Sequence, residues 1–136
     1  MISTPLQIRF SDCDIAGHIH NAVYLQYFET GRMKFFVSQL GRDWDWKKYG
    51  IILKKNEVIY HRPGQLENQL TVDVDCSHIG ISSFTLSYKI KDEKGLLIAE
   101  GSSVLVCFDY IQNTVVTVHE VFKPILQKHL SKQLEA

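Results

Sequence analysis

Three cysteines, Cys13, Cys76 and Cys107, are too few and too scattered to frame a disulfide scaffold: the number is odd and no C-x-x-C pair occurs. Free thiols in a reducing compartment are expected. No apolar run approaches the length of a membrane span, and the opening "MISTPLQIRF" lacks a basic segment followed by an apolar one. The expectation is a soluble, cytoplasmic protein with no membrane partner. Charge of one sign is also missing. Fifteen Lys and Arg balance fifteen Asp and Glu, with no basic stripe, so nucleic acid is not an expected partner. Repeats, linkers and low-complexity tracts are absent as well. The chain reads as a single domain over residues 1–136, long enough to bury roughly two-thirds of its unfolded surface without a metal or a disulfide.

What is present is periodicity. Leu6, Ile8 and Phe10 alternate with Gln7 and Arg9, the pattern of a half-buried strand. From Ala22 the period changes, and Tyr24, Tyr27, Phe28, Gly31 and Phe35 share one face of a helix predicted to run to Leu40, with Gly41 ending it. Glycine costs about 1 kcal/mol against alanine inside a helix. Gly31 on the apolar face therefore implies a neighbour too close for a Cβ, such as a sheet wrapped against the helix. The stretch "DWDWKKYG" reads as an irregular or short helical connection.

Four strands are then predicted at Ile51–His61, Gln69–Cys76, Ser82–Lys91 and Leu96–Phe108, separated by "RPGQ", "SHIG" and "KDEKG". Short links imply antiparallel hairpins. The run Val104 to Phe108 is apolar at every position, which predicts cover on both faces, from the helix plus either another subunit or the C-terminal segment. Pro124 opens a short terminal helix with Ile125, Leu126 and Leu130. A five-stranded antiparallel sheet wrapped around one long helix is the α+β architecture that buries both apolar faces.

The densest chemistry lies in "DCDIAGHIHNAVY", residues 12 to 24, between the first strand and the helix. Asp14 is either a turn carboxylate or a catalytic one, whereas Asp12 is expected to be structural, pairing with Arg9 or capping the turn. His18 and His20 with Asp12 and Asp14 offer four metal donors, but ligands so close along one turn converge poorly on one ion, and no metal is expected. His18 is expected to line the site and His20 to serve the turn or a subunit contact. Asn21 is the expected helix N-cap.

The element order, D-x-D-x-x-G-H-x-x-N-x-x-Y at residues 12–24 and "RPGQL" ahead of the later strands resemble the hotdog-fold acyl-CoA thioesterases of the 4-hydroxybenzoyl-CoA thioesterase type. The resemblance covers nearly the whole chain. It implies an acyl-CoA thioesterase with Asp14 as catalytic base or nucleophile and the backbone N–H of Asn21 polarising the thioester carbonyl. Gly17, His18 and Tyr24 would line the substrate site. No cofactor is implied, since CoA belongs to the substrate. It implies a homo-oligomer, dimer or tetramer, in which the partner's strand Ile51–His61 and its turn Arg62–Gly64 border the site. Some relatives of this type place their carboxylate on the helix, which here is Glu29, expected instead to be solvated or interfacial. Two further readings stand beside hydrolysis: a non-catalytic acyl-CoA binding module, and a hotdog hydratase, whose D-x-N-P-x-H arrangement is matched only superficially because proline is absent and Asp14 holds the third position.

Overall fold

The computed structural model describes residues 1–131. In chain order its elements are β1 (Ile2–Pro5), a 3-10 turn (Phe10–Asp12), α1 (Val23–Leu40), β2 (Gly50–Tyr60), β3 (Thr71–Ile79), β4 (Ser83–Lys91), β5 (Leu97–Asp109), β6 (Thr114–Val115) and α2 (Lys123–Lys128). The strands form one antiparallel sheet in the order β1-β3-β4-β5-β2, with β6 added against β5. One long helix lies in the curve of this sheet. This is the hotdog architecture expected from the sequence.

The helix buries Val23, Tyr24, Tyr27, Phe28, Gly31, Phe35 and Phe36. Alternate residues of β3 and β4 meet them: Val72, Val74, Cys76, Phe84, Leu86 and Ile90 are fully buried. Phe28 stacks on Tyr88 at 4.4 Å between ring centroids. A Cβ on Gly31 would lie 2.9 Å from Val72 Cγ1 and from Val74 Cγ2. The close approach inferred from a glycine on the apolar face is therefore to β3.

Several expectations need correction. The first strand is Ile2–Pro5, not Leu6–Phe10, because β3 begins at Thr71 opposite Pro5 and the ladder ends there. Leu6 still donates to Leu70 O, and Leu6 and Ile8 pack on the core, but Phe10 is exposed. Ser77, His78 and Ile79, expected as a link, belong to β3, whose pairing continues past a bulge between Cys76 and His78. The link "RPGQ" joins no hairpin. Strand β2 pairs with β5 at the far edge, so the chain crosses from there to the interior position of β3. In β5, Leu105 and Cys107 are buried, while Val104, Val106 and Phe108 are only half-buried, so this chain covers one face of that strand. The terminal segment packs on β3 instead, where Cys76 N–H donates to His129 O and Leu126 is fully buried.

Replacing Gly31 by alanine tests the close approach. Helix propensity alone would stabilise the variant by about 1 kcal/mol. The stiff, β-branched Val72 and Val74 cannot yield cheaply, so Gly31→Ala is expected to lose about 1–3 kcal/mol in urea unfolding. A gain in stability would refute the contact.

Candidate active site

Residues 13 to 19 fold back on themselves. Cys13 and Ile19 form an antiparallel bridge, Asp14 N–H donates to His18 O at 2.7 Å, and Gly17 N–H donates to Asp14 O at 3.0 Å. Gly17 takes φ +80°, where a side chain is strained, with nothing within 4 Å of a built Cβ. Backbone conformation, not space, selects glycine there.

The Asp14 carboxylate holds the loop by one oxygen. Its Oδ1 accepts from Ala16 N–H at 2.9 Å and His18 N–H at 3.0 Å, whereas Oδ2 has no hydrogen-bond partner among the described residues. Turn carboxylate and reactive carboxylate are thus compatible: one oxygen is fixed, and the other is left for chemistry. Asp12 spends its carboxylate differently. Its Oδ2 accepts from Arg9 N–H and from the Tyr27 hydroxyl, both at 2.9 Å. Burial, then this contact with Asp12, drives Tyr27 well above the usual tyrosine range and keeps it a donor. Burial, then the charges of Asp12, Asp14 and Glu67, raise the Cys13 thiol and disfavour its thiolate.

Asn21 does not cap the helix. The N-cap position is Ala22, with helical φ −68° and ψ −24° and no side-chain cap, and Val23 N–H closes a turn onto His20 O at 3.0 Å. A capping side chain needs extended backbone at its own residue, which this early turn removes. The N–H groups of Asn21 and Ala22 find no acceptor among the described residues. Unpaired donors and the positive end of α1 therefore stand at the helix start.

A second wall comes from the end of β2 and the crossing link. Ile19 N–H donates to Gly64 O, Gly64 N–H donates to the Tyr24 hydroxyl, both at 2.9 Å, and the Tyr60 hydroxyl donates to Asn21 O at 3.0 Å. A Cβ on Gly64 would lie 2.7 Å from Ile19 Cδ1 and 2.8 Å from the Tyr24 oxygen. Only glycine lets the link come this close. Between the walls lies a cleft of about 330 Å³, lined by Asp14, His18, Ile19, Asn21 and Tyr24 on one side and by Tyr60, His61, Arg62 and Pro63 on the other.

The cleft unites Asp14, His18, Asn21 and Tyr24, as expected, but Gly17 shapes the loop and is not on its wall. Tyr60 to Pro63 of this same chain also line the cleft. The signal for them was the glycine in "RPGQL", which demands close approach to something. Glu29 is exposed and borders a separate groove with Gln26, Thr30, Met33, Lys34 and Val37. His20 is exposed and closes the turn by donating its N–H to Asp12 O. Among the described residues no three His, Cys, Asp or Glu side chains converge as metal ligands would.

A helix cradled by one antiparallel sheet, with a fixed carboxylate in a cleft beside the helix start, is the hotdog architecture. The chain belongs to the thioesterase-like superfamily, whose model matches residues 8–126. A predicted thioesterase from Bacillus stearothermophilus superposes with a TM-score of 0.85 at 26% identity, covering 96% of this chain and 97% of that one. A Thermus thermophilus thioesterase complexed with coenzyme A and Zn superposes at 0.82 and 26% identity, covering 97% of this chain and 96% of that one. The acyl-CoA thioester hydrolase YbgC of Escherichia coli O6:H1 is 21% identical over 110 residues, 77% of this chain and 80% of that protein.

Tyr24→Phe removes the acceptor of the buried Gly64 N–H without changing the ring. A loss of about 1–3 kcal/mol in chemical denaturation is expected, the cost of an orphaned buried donor. Wild-type stability would show that this contact does not hold the second wall.

Proposed function

We propose that this protein is an acyl-CoA thioester hydrolase, releasing a free acid and CoA, with Asp14 as its catalytic carboxylate. The observation that carries the reading is the division of labour within Asp14: Oδ1 is anchored by two backbone donors and Oδ2 has no partner among the described residues, in a cleft that Asn21, whose N–H is unpaired, also lines. A thioester carbonyl oxygen hydrogen-bonded to that N–H gains stabilisation as negative charge develops on it. Asp14 Oδ2 then either takes a proton from the attacking water or attacks the carbonyl carbon itself, giving an anhydride that water opens. In both routes the C–S bond breaks and sulfur leaves as thiolate. Thiols have a reference pKa of about 8.5, so no dedicated acid is required. His18 and Tyr24 wall the acyl group, and no cofactor takes part.

The same reading makes the active form a homo-oligomer, a dimer or a pair of dimers. Ile52, Leu53, Ile59 and Tyr60 are exposed along the edge strand β2, a surface that association would cover. Cys13, Cys76 and Cys107 are all free thiols, which suits the cytoplasm.

Asp14→Asn separates chemistry from folding, because the amide oxygen can still accept from Ala16 and His18. Release of CoA thiol from acetyl-, hexanoyl-, palmitoyl- and benzoyl-CoA is expected to fall roughly 10²- to 10⁴-fold while the melting temperature stays near native. Equal rates in both proteins would remove Asp14 from the mechanism. No release by the native protein would favour a binding module.

A further inference from the structure

Asn21 carries the N–H proposed to meet the thioester carbonyl, yet little secures it. Asn21 and Ala22 are both exposed, α1 begins only at Val23, and no side chain caps it. Helix ends of this kind fray. The residues on either side are tied locally: His20 N–H donates to Asp12 O at 2.9 Å, and Val23 N–H donates to His20 O at 3.0 Å. Asn21 itself makes one hydrogen bond among the described residues, through its carbonyl, which accepts from the Tyr60 hydroxyl at 3.0 Å. Its N–H and its side-chain amide have no partner there.

Tyr60 is placed to make that reach. It ends β2, where it pairs with Ala99, which is fully buried. Gly101, two residues further along β5 on the same face, lies against the Phe28 ring of α1. Residues directly opposite in an antiparallel pair share a face, so the Tyr60 side chain leaves the sheet on the side that holds the helix. Its ring stands edge-on to that of Tyr24, with 5.3 Å between centroids and 70° between planes. Tyr24 is buried and accepts from Gly64 N–H, so the ring that braces Tyr60 is itself fixed. The hydroxyl then crosses from one wall of the cleft to the other.

We infer, on the hydrolase reading above, that Tyr60 is a positioning residue for the reaction: by fastening the Asn21 carbonyl to the end of β2, its hydroxyl keeps the Asn21 N–H aimed at the oxygen on which negative charge develops. The peptide units that meet at Asn21 are planar, so a bond to each carbonyl sets the plane of each. Val23 N–H fixes the unit that carries the Asn21 N–H, and Tyr60 fixes the unit that follows. With both planes set, the donor cannot swing away as the thioester carbonyl becomes tetrahedral. A donor aimed beforehand needs no reorganisation when charge appears. Without the hydroxyl, Asn21 keeps no hydrogen bond of its own.

Tyr60→Phe removes the hydroxyl and leaves the ring against Tyr24. Tyr60 is 44% exposed and Asn21 is exposed, so the freed carbonyl returns to water and the melting temperature is expected to stay near native. In the ligand-free protein, NMR relaxation of the Asn21 amide is expected to report an order parameter of about 0.85, falling below about 0.6 in the variant. The Ala16 and His18 amides, held by Asp14, are expected to keep their values. An Asn21 amide equally ordered in both proteins overturns the anchoring. With the CoA thioesters named above, kcat and kcat/KM are expected to fall together, roughly 10- to 10²-fold, at unchanged KM, the mark of an interaction realised in the transition state. A raised KM at constant kcat would make Tyr60 a wall of the binding site only, and native kinetics would remove it from the reaction; either result overturns the positioning role. A native protein inactive on every thioester sinks the hydrolase reading and the role of Tyr60 in catalysis with it, whereas the relaxation of Asn21 still decides whether Tyr60 holds that residue.

Discussion

The contact between Gly31 and β3 governs the rest of the molecule. Side chains on both surfaces normally stand between a helix and a sheet and hold them apart. Here the helix contributes a hydrogen at the closest point, and Val72 and Val74 fill that gap. The rings flanking it, Tyr27, Phe28, Phe35 and Phe36, can then spread into the curve of the sheet, and all four are buried. Seating the helix this deep fixes where its start emerges. That point lies beside the end of β2 and the crossing link, where Tyr24 and Tyr60 reach across to Gly64 and Asn21.

The site is built mostly from backbone. Asp14 is fixed by amides of its own loop, the second wall is held by the Gly64 amide, and the expected carbonyl contact is an amide at the helix start. Backbone groups cannot be repositioned by rotamer changes, so this arrangement is stiff where an acyl carbonyl has to be aligned. It also leaves both of the roles open to Asp14 from sequence compatible in one residue. A carboxylate has two oxygens, and an Asx-type turn needs only one.

Legibility followed the range of the interactions. The helix was readable because its period and its glycine are local, and β3 and β4 were readable because strict alternation survives in Val72, Val74, Phe84, Leu86 and Ile90. Strand β1 was misplaced because Leu6 and Ile8 alternate and pack on the core without a partner strand; hydrogen bonding depends on where β3 begins, which no local pattern records. The position of β2 at the far edge is equally non-local. Asn21 has the right chemistry for a cap but stands one residue too early, because the turn from His20 to Val23 puts Ala22 at the N-cap position. That Tyr60 to Pro63 of this chain line the Asp14 cleft depends on the crossing of the link, which no local pattern records.

Arg32 shows how the edge strand is tied to this frame. It is buried on α1, and no carboxylate among the described residues pairs with it. Its Nη1 donates instead to the Tyr88 hydroxyl at 3.2 Å and to Ser103 Oγ at 3.4 Å, and Ser103 in turn donates to Asn56 Oδ1. Guanidinium is weakly hydrated and spreads its charge, so neutral oxygens can carry it where an ammonium would demand a counter-ion. The chain of contacts runs from the helix through β4 and β5 to β2, and it ends at the residue where β2 resumes its alternation after the bulge. A sheet edge held only by its neighbour's ladder could slide or fray. Fastening it through the core at Asn56 fixes the face that Val58 and Tyr60 present, and with it the wall of the cleft opposite Asp14.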